Sequence, residues 1–120
     1  MGAVGKDTTD GARAEALAAS WLERQGLTVE ARNFRVRGGE IDLVCRDGRT
    51  RVFVEVRLRS RQDFGGAAES ITAAKQRRLI LAAQHYLQGK PAFPCRFDCV
   101  LLDRLDEGAI QWIRDAFSAD

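Results

Sequence analysis

The stretches Gly38-Gly-Glu-Ile-Asp-Leu43 and Phe53-Val-Glu-Val-Arg57 decide the fold of this chain. Both alternate apolar with charged or small residues, which is the period-two pattern of β-strands. Asp47-Gly48 lies between them and is a strong hairpin signal. In such a hairpin Asp42 and Glu55 lie on neighbouring strands and point the same way. Two carboxylates held together on rigid strands repel each other, so the pair predicts a shared cation.

The same alternation assigns faces to the strands. It predicts that Ile41, Leu43 and Cys45 share one face of the second strand, with the acids Glu40 and Asp42 on the opposite face. Charged residues at strand positions that a buried sheet would fill with apolar side chains are the feature that points to function.

Composition predicts one globular domain over residues 1–120, with residues 1–7 disordered. No stretch approaches the length of about 18 apolar residues that a membrane span needs. The N-terminus lacks the apolar run of a signal peptide, so the expected location is the cytoplasm, with no membrane partner. The net charge of +2 excludes histone-like binding.

Sixteen of the 19 cationic residues are arginine, a residue suited to bidentate phosphate contacts. GC-rich codon usage explains this bias equally well, so placement matters more than number. Six arginines are expected to crowd around the acidic hairpin: Arg46, Arg49, Arg51, Arg57, Arg59 and Arg61.

The remaining elements follow from caps, periodicity and turn residues. They are a first helix capped by Thr8, Thr9 or Asp10 and ending near Gln25, a strand over 27–34, a loop over 60–69, a second helix capped by Ser70 or Thr72 and ending near Leu87, and strands over 95–102 and 109–113. The order is α-β-β-β-α-β-β. The helix between the third and fourth strands allows a parallel, right-handed crossover.

Two charged residues, Glu15 and Lys75, fall at helix positions whose neighbours are mostly apolar. Glu15 lies among small apolar neighbours of the first helix, and the alternative is an exposed acid at the edge of the apolar face. Lys75 falls on a mostly apolar line of the second helix, and the alternative is a stem that covers apolar surface while its amine reaches water.

The three cysteines, Cys45, Cys95 and Cys99, argue against a disulfide framework because their number is odd. Cys95 and Cys99 are separated by residues that form a strand, which is poor zinc-site spacing. We expect buried small hydrophobic residues instead.

An aspartate on one strand and Glu-x-basic on the next fit metal-dependent phosphodiester hydrolysis. Mg²⁺ or Mn²⁺ prefers oxygen ligands, and often only one or two protein carboxylates bind Mg²⁺. Asp42, Glu55 and the backbone carbonyl of Val56 are the candidate ligands. Arg57 would lie near the attacked phosphate. Other arginines would hold the flanking nucleic-acid backbone, the candidates being Arg46, Arg59, Arg61, Arg77 and Arg78.

These motifs resemble the YraN-like family of predicted endonucleases. The resemblance rests on Gly39-Glu-Ile-Asp-Leu43, Phe53-Val-Glu-Val-Arg57, Lys75 and Arg96-Phe-Asp98, and it spans roughly residues 11–103. That family in turn resembles archaeal Holliday junction resolvases of the PD-(D/E)xK superfamily. The resemblance implies an α/β fold with a restriction-endonuclease-like αβββαβ core, a mixed central sheet flanked by helices.

The resemblance also implies roles for individual acids. Glu15 matches the helix acid that resolvase-like nucleases direct at the metal, and Asp42 and Glu55 match metal ligands. Glu40 matches the family pattern as a supporting residue, and Asp98 as one that caps or orients the sheet. The implied function is a metal-dependent endonuclease acting on DNA, with branched or damaged DNA as candidate substrates.

One position departs from the family pattern, because Arg57 stands where lysine is usual. Arginine keeps the positive charge but cannot be deprotonated, so it cannot act as a general base. Lys75 is the candidate replacement.

Two alternatives to an active nuclease follow from the acids and from Arg57. One is a nucleic-acid-binding or scaffolding module with the same fold and no activity. The other is a metal-free network in which Glu15, Asp42 and Glu55 pair with Arg57 and nearby arginines. A homodimer is also implied by the resolvase likeness, with Trp112 and Phe117 as candidate contacts, although Trp112 also suits a place over the core.

Overall fold

The structure, a computed structural model, describes residues 9–59 and 71–119. It contains two α-helices and five β-strands in the predicted order: α1 (Asp10–Arg24), β1 (Thr28–Val36), β2 (Gly39–Asp47), β3 (Thr50–Leu58), α2 (Ala73–Leu87), β4 (Cys95–Leu102) and β5 (Ile110–Phe117). A short 3-10 turn, Glu107–Ala109, precedes β5. No helix within the described ranges is long and apolar enough to cross a membrane. The expected disorder of residues 1–7 and the expected loop over 60–69 concern residues outside these ranges.

The strands form one mixed sheet in the order β1-β2-β3-β4-β5. The first three strands make the predicted antiparallel meander, β3 and β4 pair in parallel, and β5 returns antiparallel to β4. A parallel pair needs a long crossover connection, and α2 provides it. The mixed α/β class expected from the sequence is therefore confirmed.

Both helices begin at threonine caps and end before glycines with positive φ. The Thr9 hydroxyl accepts a hydrogen bond from the Ala12 N–H at 3.1 Å, and the Thr72 hydroxyl accepts one from the Lys75 N–H at 3.2 Å. Gly26 and Gly89 follow the two helices with φ of 101° and 76°. The caps fix where each helix starts, and hence which helical residues reach the sheet.

Each helix covers one face of the sheet. Small residues of α1 pack with Leu43, Val54 and Val100 in one buried cluster, and α2 packs with Phe53 and Phe97 in the other. Phe53 and Val54 lie in different clusters, as strand alternation predicts for β3.

The alternation predicted for β2 is wrong at one residue. Ile41 lies in the α2 cluster, whereas Leu43 and Cys45 lie in the α1 cluster. The change of face falls at Asp42. On β1, Asn33 lies between the partners of Leu43 and Ile41, and its left-handed φ of 51° breaks the regular pleat there.

The C-terminal strand is longer than expected and carries both candidate dimer contacts. Trp112 packs edge-on against Trp21 with ring centroids 5.8 Å apart, and Phe117 stacks on Phe97 at 4.7 Å. The two aromatic side chains therefore contact this chain's own core. Asp115, with φ 53°, bends the strand end.

Candidate functional site

The sheet opens between β2 and β3. Their pairing runs from the hairpin turn to Leu43–Val54 and stops there. Beyond that point residues 39–41 remain paired with β1, while residues 55–58 pair with β4. We call this opening the fork, and it is formed by residues 39–42 on one side and 55–58 on the other.

Asp42 lies at the base of the fork with its side chain buried. The residue is 9% exposed, and its Oδ2 accepts a hydrogen bond from the backbone N–H of Val56 at 2.8 Å. The carboxylate thus takes the place of the missing backbone partner. In a strand, the N–H and C=O of one residue lie on the same edge, so the Val56 carbonyl also lies on the β2 side.

Asp42 and Glu55 meet across the fork. Burial raises the pKa of Asp42 to about 8, together with a side-chain hydrogen bond to Glu55 and repulsion from its charge, while the Val56 N–H opposes the shift. A hydrogen bond between two carboxyl groups needs a proton on one of them, and the raised pKa of Asp42 places that proton on Asp42 at neutral pH in the absence of a cation. The predicted encounter of these two acids is confirmed.

Glu15 approaches the pair from α1. Partial burial raises its pKa, the negative charge of Asp42 raises it further, and a hydrogen bond from the Asn33 side chain lowers it. The side chain is half-buried and interacts with the fork. This placement differs from the alternative of an acid exposed at the edge of the helix.

A small cavity of about 90 Å³ lies on the α2 side of the fork. It is lined by Glu40, Glu55, Lys75, Arg78 and Leu79. Lys75 is half-buried and lines this cavity together with Glu55 and the apolar Leu79. This volume holds several water molecules or one small charged group.

The acid pair fits a divalent cation by its chemistry. Of the arginines near the hairpin, Arg46 and Arg51 pair with Glu30 and Arg59 pairs with Asp103, so these three are used away from the acid pair. No cluster of three or more Asp, Glu, His or Cys side chains with metal-binding geometry occurs within the described ranges. Mg²⁺ needs only one or two carboxylates besides water, so two adjacent hard-oxygen donors suit it.

Cys99 lies beneath the site. It is fully buried and is the parallel partner of Glu55 in β4. Burial raises its pKa to about 12, the charges of Glu55 and Asp42 add to the shift, and those of Arg57 and Lys75 oppose it. Cys99 is the buried small residue that the sequence predicted, whereas Cys95 is exposed.

Two predicted nucleic-acid contacts are engaged in ion pairs away from the fork. Arg46 is four residues along β2 from Asp42. It pairs with Glu30 at 3.1 Å and stacks over Phe93. Arg59 pairs with Asp103 at 2.7 Å. Glu30 lies on β1, Phe93 precedes β4 and Asp103 follows it. None of these partners is close in sequence to the arginine that it contacts.

The other predicted phosphate contacts lie at different distances from the cavity beside Glu55. Arg77 and Arg78 are both exposed on α2, but only Arg78 lines the cavity beside Glu55. Arg57 is half-buried on β3. Arg61 lies outside the described residues.

Sequence reasoning missed Asn33 and Arg35 on β1. Asn33 holds Glu15, and Arg35 pairs with Glu40 at 3.2 Å. No local signal marks them, because their roles depend on the register of β1 against β2 and on the approach of α1.

A second buried carboxylate contrasts with Asp42. Asp98 is 1% exposed, and it accepts hydrogen bonds from Arg96 Nε at 3.0 Å, Trp112 Nε1 at 2.9 Å and the Asp115 N–H at 2.9 Å. Asp98 therefore joins β4 to β5, in keeping with the orienting role expected from the sequence.

Comparison with known proteins finds close relatives that are named only as UPF0102 proteins. Residues 14–102 match the family model described as Uncharacterised protein family UPF0102. A UPF0102 protein of Dechloromonas aromatica is 65% identical over 113 residues, which cover 94% of this chain and 92% of the relative. A UPF0102 protein of Methylobacillus flagellatus is 60% identical over 88% of this chain and 94% of the relative, and one of Hahella chejuensis is 52% identical over 90% and 89%.

Proposed function

The chain belongs to the uncharacterised protein family UPF0102, and we propose that it is a metal-dependent endonuclease that hydrolyses phosphodiester bonds in DNA in the cytoplasm. The single observation that carries the proposal is the acid pair at the fork. Asp42 and Glu55 are hydrogen-bonded to each other beside a small cavity. Burying an acid against another acid is costly, so such a pair needs a functional reason.

The element order and sheet support this proposal. An αβββαβ order with a mixed sheet is what the resemblance to PD-(D/E)xK nucleases implies, and the described elements have that order. The acids come from the strands and the helix that the resemblance assigns, namely Asp42 from β2, Glu55 from β3 and Glu15 from α1.

In this proposal, Mg²⁺ or Mn²⁺ would be held by Asp42, Glu55 and the carbonyl of Val56, with Glu15 nearby. When bound, the ion would polarise the scissile phosphate and acidify water. The protein supplies the rest of the site. Val56 N–H orients Asp42, and the buried β3–β4 pair holds Glu55 in position.

Lys75 and Arg57 supply positive charge on the α2 face of the sheet. Lys75 lines the cavity beside Glu55, where its ammonium would stabilise the charge that develops on the phosphate. Arg57 remains protonated, so it would hold a phosphate oxygen and take no part in proton transfer.

The test is cleavage of junction, flap and single-stranded DNA with Mn²⁺. Asp42→Asn and Glu55→Gln should each lower the rate by about 100-fold or more, because each removes a metal ligand. Glu23→Gln is the matched control, since Glu23 is exposed on α1 and does not line the fork. Cleavage that survives both substitutions, or is absent from the unmodified protein with Mn²⁺, would refute the enzyme proposal.

A second candidate is a nucleic-acid-binding module with the same fold, and Arg57 is the observation that favours it. In that case the protein binds DNA in a salt-sensitive manner and shows no metal-dependent cleavage. Binding would then survive Asp42→Asn and Glu55→Gln, since the module needs only cations to hold phosphates.

A further inference from the structure

The cavity beside the acid pair continues into a second, more open one. The second cavity has a volume of about 290 Å³ and is lined by Arg35, Val36, Gly38, Gly39, Glu40 and Arg78. Both cavities share Glu40 and Arg78. Together they form a groove between the N-terminal half of α2 and the β1–β2 turn. We call it the strand groove.

The cations of the strand groove come from its two walls. Lys75 and Arg78 are three residues apart on α2 and so lie on the same side of the helix. Arg35 faces them from β1. Its Nε lies 3.2 Å from Glu40 Oε2, with the Arg35 side chain largely exposed and the Glu40 side chain about half exposed. Three cations thus follow the groove from the acid pair outward.

The floor of the groove is rigid. Gly38 has φ 87°, and a Cβ on Gly39 would lie 2.4 Å from the Arg78 carbonyl oxygen. The β1–β2 turn therefore packs backbone to backbone against α2, which sets the spacing of Arg78 and Arg35. Only glycine allows this approach.

We propose that the strand groove holds the phosphate backbone of one nucleic-acid strand beside the acid pair, with Arg78 as the central contact. This inference rests on the proposed function and names the path of its substrate. The cavity next to Glu55 is too small for a base pair, and the contacts offered are cations. The groove thus binds phosphates and does not read base sequence.

Glu40 competes with the strand for the same cations. Its carboxylate lines both cavities and pairs with Arg35, so it occupies the place that a phosphate would take. Removing its charge frees Arg35 and lowers the repulsion of a phosphate. Glu40→Gln should therefore tighten binding of a strand by about 2- to 5-fold at low salt.

The experiment measures binding of a short fluorescein-labelled oligothymidylate by fluorescence anisotropy in EDTA. Arg78→Ala should weaken binding about 3- to 10-fold and reduce the slope of log K against log salt by about 0.7. Arg49→Ala, which removes an exposed arginine from the β2–β3 turn, should leave the affinity unchanged. Arg77 is next to Arg78 but outside the groove, so Arg77→Ala should weaken binding less than Arg78→Ala does.

Three results would overturn the inference: no binding by the unmodified protein at low salt, unchanged affinity in Arg78→Ala, or equal losses in Arg77→Ala and Arg78→Ala. Arg78 is exposed, so its substitution should leave the fold intact, and thermal unfolding checks this. Binding is measured without metal, so the result is separate from cleavage. A groove that binds without any Mn²⁺-dependent cleavage would refute the proposed enzyme and leave the inference standing.

Discussion

Asp42 and Asp98 are buried aspartates of one sheet with opposite surroundings. Asp98 receives hydrogen bonds from Arg96, Trp112 and the Asp115 backbone, so its charge is fully compensated. Asp42 has one backbone donor and an acidic neighbour, Glu55. The first arrangement joins two strands. The second places two acids against each other beside a cavity, which is the arrangement of a group that binds a cation.

The same contrast extends along the β2–β3 hairpin. Near its turn, Glu30 pairs with both Arg46 and Arg51, and Tyr86 donates its hydroxyl hydrogen bond to Glu30. At the fork, the acids meet each other. Arginine is thus used for internal pairing at the turn end, whereas the side chain that hydrogen-bonds Asp42 at the fork is another acid.

The largest effect is expected from removing the compensated carboxylate. Asp98→Ala should lower the free energy of unfolding by about 3–5 kcal/mol, because it leaves Arg96 with only Asp47 as an ion-pair partner among the described residues and removes the acceptor of the Trp112 and Asp115 N–H groups. Urea denaturation measures the change. Asp103→Ala, at an exposed ion pair with Arg59, is the control and should cost less than about 1 kcal/mol. Equal losses in the two variants would mean that Asp98 is not compensated as described.

Removing the Asp42 carboxylate should have the opposite effect and raise the free energy of unfolding. The pKa of Asp42 is raised in the folded state to about 8, so between its ordinary value and about 8 the folded protein binds more protons than the unfolded chain. Stability contributed by Asp42 is present at acidic pH and is lost as pH rises towards about 8. Asp42→Asn cannot ionise, so in EDTA at pH 9 it should be more stable than the unmodified protein by roughly 2 kcal/mol.

The thermal midpoint measured from pH 4 to pH 9 tests this sign. The advantage of Asp42→Asn should shrink as pH falls, since Asp42 is then protonated in the folded protein and no longer carries a buried charge. Glu23→Gln serves as the exposed control and should show no such pH-dependent gain. If Asp42→Asn is less stable at pH 9 in EDTA, the carboxylate is compensated and the contrast with Asp98 fails.

The smallest effect concerns Glu40, whose charge contributes to the raised pKa of Asp42. Glu40→Gln should change stability by no more than about 0.5 kcal/mol, because the side chain is exposed. It should lower the pKa of Asp42 in the folded protein, so that the loss of stability on raising the pH is complete at a lower pH. Thermal midpoints against pH in EDTA measure the shift, and a move to higher pH would contradict the arrangement of charges at the fork.

Much of the fold could be predicted from local signals. Thr9 and Thr72 cap the helices as expected, and β4 has the predicted bounds, because caps and short apolar runs are read from adjacent residues. The meeting of Asp42 and Glu55 also followed from a hairpin with a short turn.

The rest depends on contacts between distant segments. The change of face at Ile41 needs the left-handed Asn33 on the neighbouring strand. Arg46 was expected near the acids, but it pairs with Glu30, sixteen residues earlier. β5 extends to Phe117 because Asp115 donates its backbone N–H to Asp98, a contact that no local pattern reveals.

The central claim is that the acid pair at the fork is a cation site. The most direct measurement is a crystal soaked with Mn²⁺ and examined for anomalous scattering. The account predicts a peak between the carboxylates of Asp42 and Glu55, within reach of the Val56 carbonyl oxygen, that disappears in Asp42→Asn. A crystal that shows Asp42 and Glu55 still hydrogen-bonded to each other, with no anomalous peak at the fork, would contradict it.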